Sequence, residues 1–183
     1  MRRTYAFVIS LAVLVATPGL ATADTYTRPA APAANPQAVN YVISRALSQR
    51  GVPFSYGGGN AAGPTRGSGP ASNAIGLDRA GNVVGLDPAA TAVGFDASGL
   101  MVYAFAGVGI KLPRSSGEQY KVGRKIAPAQ ALPGDLIFYG PNGSESVAMF
   151  VGNGQMVEAT DPAVAVSPVR TGGMSPYLGR IIG

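Results

Sequence analysis

The chain of 183 residues contains no cysteine and no histidine. Without cysteine there is no disulfide and no thiol nucleophile. Without histidine the usual general base and the commonest metal ligand are missing, and neither a cofactor nor a metal is expected. Phosphate-binding patterns are absent as well. The glycines of "GVPFSYGGGN" fit neither G-x-x-x-x-G-K-[ST] nor a G-x-G-x-x-G that opens a helix, so their expected use is close backbone approach. The near-repeat Gly76-Leu77-Asp78, Gly85-Leu86-Asp87, Gly94-Phe95-Asp96 has too few carboxylates for calcium loops. After the first two dozen residues no apolar run is long enough to span a bilayer.

What the chain does have is apolar mass. Apolar residues make up 46% of it, enough for one domain with a core that needs no staples. The N-terminus reads as a secretory signal over residues 1–23. Arg2 and Arg3 precede an apolar stretch from Tyr5 to Val15, and Ala21-Thr22-Ala23 is a small-residue cleavage site. Export is therefore expected, and no membrane contact once the signal is removed. Removal leaves twelve basic against nine acidic residues, a net charge of +3. That balance suits an anionic matrix but argues against nucleic acid as a partner. Residues 24–35 form a Pro- and Ala-rich linker, and residues 36–183 the domain.

Within the domain the pattern runs from helices to strands. Asn35-Pro36 is a cap and first-turn pair before a helix whose Val39, Val42, Ile43, Ala46 and Leu47 share one face, with Gly51 ending it. Residues 60–93 are poor in either periodicity and are expected to form a long surface loop beside a cleft. Ser98 to Val108 reads as a second helix with Met101, Ala104 and Phe105 inward. Ser115-x-x-Glu118 is a capping box before a third, short helix. From Ala131 onward the period is that of strands, and Gly152-Asn153-Gly154 marks a hairpin. Helices first and an antiparallel sheet after them give an α+β fold.

The stretch "GFDASGLMVYAFAG" opens the second helix with Ala97, at a first turn where partial positive charge favours a thiolate. Ser146 follows 49 residues later at the start of a strand, where a base would sit, and Glu158 lies 12 residues beyond as its orienter. Of the three, only Glu158 suits its role.

These residues resemble the NlpC-type peptidases, papain-like cysteine endopeptidases of bacterial peptidoglycan. "DASG" (Asp96 to Gly99) stands where that family carries Asp-Cys-Ser-Gly, and Ser146 where it carries histidine. Glu158 stands at the polar third position, and Tyr56 in "FSYGGG" at a tyrosine beside the oxyanion site. "FAGVGIKLPRSSGEQY" and "GDLIFYGPNGS" resemble the Rip branch of mycobacterial cell-wall hydrolases, which includes a member with a degenerate site. The resemblance spans about Asn35 to Ile182. It implies a papain-like fold, a cell-wall location, a monomer, and binding of peptidoglycan stem peptides without cleavage. It also implies that Asp96 pairs with a peptide ammonium, that Ser98 hydrogen-bonds the peptide, and that Tyr56, Ser146 and Glu158 join them as ligand contacts.

Other readings of the same residues stay open. Asp96 also suits the helix N-cap, and Tyr56 also suits simple packing. Glu158, with no histidine beside it, is either solvated or bonded to Ser146. The run Lys111, Arg114, Lys121, Arg124, Lys125 is either an attractor for the wall or a solvated face. Ser98 is a candidate nucleophile for residual hydrolysis if a lysine serves as base. A regulatory role with other cell-wall proteins as partners is the third class of function.

Overall fold

The computed structural model describes residues 35–67, 76–77, 83–85 and 92–183. The signal segment, nearly all of the linker, and Asp78 and the Leu86-Asp87 pair of the near-repeat lie outside these residues.

Helix α1 spans Pro36–Leu47. The Asn35 side chain accepts from the backbone N–H groups of Gln37 and Ala38, so Asn35 belongs to the helix rather than to the linker. Val42 and Ala46 are fully buried at its inner face. Helix α2, Ala97–Ala106, has a wider buried surface than its sequence suggests: Leu100, Met101, Ala104 and Phe105 are all inaccessible or nearly so. A helix that is apolar nearly all round lies inside the fold, and α2 packs between α1 and the sheet. Helix α3 spans Ser116–Val122. Ser115 caps it by accepting from the Glu118 N–H, but the Glu118 side chain does not close the capping box and pairs with Lys121 at 2.6 Å instead.

Residues 60–93 are not the strandless loop expected. Strand β1 (Thr65–Arg66) pairs antiparallel with β4 (Val93–Gly94), and β2 (Gly76–Leu77) pairs with β3 (Val83–Gly85). These strands are too short to carry a readable alternation.

The remaining strands are β5 (Arg124–Ile126), β6 (Leu136–Tyr139), β7 (Ser146–Gly152), β8 (Gln155–Ala159), β9 (Val164–Pro168) and β10 (Leu178–Arg180). They form one antiparallel sheet in the order β5-β10-β6-β7-β8-β9. The β7–β8 turn is the two-residue Asn153-Gly154, and both residues have positive φ, as a hairpin matched to the strand twist requires. Val147, Met149, Val157 and Ala159 pack towards α1 and α2 in the main core. Ile137, Tyr139, Ala148 and Met156 form a second core on the opposite face. Helices packed on an antiparallel sheet make the α+β architecture.

Candidate functional site

The N-terminus of α2 is built against the glycine segment 57–59. Asp96 caps the helix, its Oδ1 accepting from the Gly99 N–H at 2.6 Å. Its Oδ2 accepts from the Gly57 N–H at 3.0 Å, and its own N–H donates to the Gly58 carbonyl. Both glycine positions are dictated by space. A Cβ on Gly99 would lie 2.2 Å from the Gly58 oxygen, and one on Gly59 would lie 2.3 Å from the Phe95 ring.

Arg114, which precedes α3, completes this junction. Its Nη1 and Nη2 donate to Asp96 Oδ1 and Oδ2, each at 2.9 Å. Nη1 also donates to Ser98 Oγ at 2.9 Å, and Nη2 to the Gly58 carbonyl at 2.8 Å. Ser98 Oγ donates in turn to Asp96 Oδ1 at 3.1 Å. Four donor groups thus converge on the Asp96 carboxylate, which is both cap and ion-pair partner. Asp96 thus fills the capping role, and a peptide ammonium reaching it from the cavity would compete with Arg114 for its oxygens. Ser98 is nearly buried and bonded between an aspartate and a guanidinium, with no lysine among its partners. Lys121 is held by Glu118, and Lys125 lies over the Tyr120 ring and donates to the Tyr120 carbonyl. Burial pushes the Lys125 ammonium below its ordinary value, but it faces Tyr120 rather than Ser98. The residues a Ser-Lys mechanism needs are not together.

An open cavity of about 630 Å³ lies over this junction. Ala97 and Ser98 line it from α2, Phe54, Tyr56 and Gly57 from the glycine segment, and Arg114 to Ser116 and Glu118 from the start of α3. Ser144, Glu145, Ser146, Ala159 and Thr160 close the remaining side. The Ser144–Glu145 wall is tied down from below: Ser175 Oγ donates to the Gly140 carbonyl at 2.7 Å and accepts from the Gly143 N–H at 3.2 Å. Tyr56 is 62% exposed, so its ring is presented to solvent and not packed.

The structure therefore brings Tyr56, Asp96, Ala97, Ser98 and Ser146 to one cavity. Glu158 is not among its walls, and the expectation that it contacts a ligand, or is solvated or bonded to Ser146, is corrected. Along β8 the alternation of side chains puts Val157 and Ala159 towards the helices and Glu158 on the other face with Met156. There Glu158 is buried, and its Oε1 and Oε2 accept from Arg170 Nη1 and Nη2 at 2.5 and 2.8 Å, while Ser167 Oγ donates to Oε1 at 2.6 Å. Burial pushes the Glu158 carboxyl up, but the Arg170 and Ser167 hydrogen bonds and the Arg170 charge outweigh it and hold the group below its ordinary value. Among the described residues no three of His, Cys, Asp and Glu converge as a metal site would need.

Arg114 was legible in sequence only as one member of a basic run, and its pairing with Asp96 across 18 residues left no local signal. Ser144, Glu145 and Thr160 flank the strand ends that carry Ser146 and Ala159, a position that follows only once the register is known.

A family model described as "NlpC/P60 family" matches residues 51–182. The peptidoglycan endopeptidase RipA of Mycobacterium tuberculosis is 54% identical over 148 residues, which cover 80% of this chain. The chain spans only 28% of the length of that relative. A solved structure of RipD from M. tuberculosis, described as a non-catalytic NlpC/p60 domain protein adapted to peptidoglycan binding, is 55% identical with a TM-score of 0.67, over 80% of this chain and 98% of that one. A structure of RipA mutated at a cysteine is 54% identical with a TM-score of 0.68, over 80% and 63% of the two chains. Companion RipA structures are mutated at a histidine 49 positions further on and at a glutamate 12 beyond it, the separations of Ala97, Ser146 and Glu158 here.

Proposed function

The chain belongs to the NlpC/P60 family, and from that premise we propose that it is an exported pseudoenzyme that binds peptidoglycan stem peptides at the cell wall without cutting them. One observation carries the reading. The residue that begins α2 on the cavity floor is Ala97, in a chain with no cysteine or histidine to replace the lost chemistry. A methyl group cannot attack a peptide carbonyl, and Ser146 cannot hold a proton taken from a nucleophile near neutral pH. The description of RipD as non-catalytic supports the reading. RipA is named an endopeptidase, and the difference rests on these positions.

In this account Tyr56 and Ser146 contact the peptide from opposite walls. Asp96, Ser98 and Arg114 act together as the brace that fixes those walls. Glu158 is a structural residue of the sheet, left with Arg170 as its partner where an active relative would use the same position to orient a base. The signal-like N-terminus supports action outside the cell.

Co-sedimentation of the secreted chain with purified, protein-free peptidoglycan tests the binding half. Protein in the pellet, with less of it for Tyr56→Ala, agrees with the proposal. Protein that stays in solution here, but pellets when wall proteins are added back, replaces it with a regulatory role through a protein partner.

A further inference from the structure

The charge of the cavity wall narrows what it accepts. Among the described residues four charged ones line it: Asp96, Arg114, Glu118 and Glu145. Arg114 is the only cation among the described lining residues, and its four Nη hydrogens are matched by four acceptors, the two Asp96 oxygens, Ser98 Oγ and the Gly58 carbonyl. Only its Nε–H is left. A carboxylate entering the cavity therefore finds no guanidinium fork to grip it. Glu118 is answered by Lys121 at 2.6 Å. Glu145 is exposed and has no ion pair with any described residue, so among the described residues it leaves the wall with one unanswered negative charge.

The neutral polar groups point the same way. The hydroxyls of Tyr56, Ser144, Ser146 and Thr160 line the cavity and make no hydrogen bond to a described residue. Each can donate one hydrogen bond and accept others, which suits amide C=O and NH₂ groups equally well. A surface of uncommitted hydroxyls beside one unpaired carboxylate is complementary to neutral amides and repels acids.

We propose that this cavity selects stem peptides whose free carboxyl groups are carried as carboxamides over those that present carboxylates. The selectivity rests on the stem-peptide reading above and deepens it. Glu145 is its main determinant, acting through charge, while Arg114 contributes by being already spent on Asp96.

The test is calorimetric titration of the full secreted chain with two synthetic stem tetrapeptides of one sequence, one bearing free carboxylates and the other the matching carboxamides. At low salt the carboxamide form is expected to bind about two- to fivefold more tightly, the scale of an exposed charge interaction. That ratio should shrink at 300 mM salt (on the order of a Debye length of 6 Å) and in Glu145→Gln. Equal or tighter binding of the carboxylate form overturns the selectivity. A preference that survives both high salt and Glu145→Gln overturns the charge argument by assigning the difference to shape. If neither peptide binds but the chain still pellets with peptidoglycan, the inference about this cavity fails and wall binding stands. If it does neither, both fail.

Discussion

Replacing Arg114 with methionine keeps an apolar stem of similar length and deletes the guanidinium. Two charge-assisted bonds to Asp96, one to Ser98 Oγ and one to the Gly58 carbonyl go with it. The Arg114 side chain is 43% exposed and that of Asp96 17%, so the pair is only partly shielded from water. Exposed pairs are worth about 0.2–1 kcal/mol, and the bidentate geometry places this one near the top of that range. The bond to the Gly58 carbonyl adds about 0.5–1.5 kcal/mol. A loss of about 1–2.5 kcal/mol in a domain of about 150 residues lowers Tm by roughly 3–8 °C. Circular dichroism melting of Arg114→Met, Asp96→Asn and the double variant provides the assay. If the two residues act as one brace, the single losses overlap and the double variant is less destabilised than their sum by about 1 kcal/mol. Additive losses, or a Tm for Arg114→Met within about 1 °C of the parent, would refute the brace. Binding to peptidoglycan should fall in step with the melting temperature, because the glycine segment that carries Tyr56 loses its anchor.

Three further perturbations bear on other parts of the account. The Glu158 carboxyl lies below its ordinary value, so its contribution to stability is complete above about pH 4.5 and is lost as pH falls through the lower folded value. Urea unfolding as a function of pH should show this loss in the parent and not in Glu158→Gln. Gly99→Ala puts a Cβ 2.2 Å from the Gly58 oxygen, and chemical denaturation should record a cost of about 2–3 kcal/mol from backbone displacement. Restoring Ala97→Cys and Ser146→His should give only weak release of stem-peptide fragments, because Glu158 is turned away from the cavity and Arg170 holds both its oxygens.

The sequence was most informative where local chemistry decides structure. Asn35 and Pro36 place the start of α1, Ser115 caps α3, and Asn153-Gly154 makes the hairpin, because each is a short-range preference with a backbone cause. The helix–sheet architecture followed from the change of period near Ala131. Long-range pairings were not legible. Arg114 sits in a basic run, and nothing near it shows that its charge is cancelled by Asp96. The same holds for Glu158, whose face of β8 depends on strand register and whose partner Arg170 lies 12 residues on in sequence. Two-residue strands such as β1 and β4 are held by one another and carry no pattern of their own. The cavity itself was anticipated through the positions of Tyr56, Asp96, Ala97, Ser98 and Ser146, which the fold gathers, and was misjudged at Glu158, which it turns away.

The central claim is that the cavity binds and does not cut. Mass spectrometry of soluble fragments, after long incubation of excess chain with purified peptidoglycan, tests it most directly, with the cysteine-bearing RipA domain as the positive control. The account predicts fragments from RipA and none above background from this chain, although the chain is recovered with the wall. New peptide ends from this chain, abolished by Ser98→Ala, would contradict it.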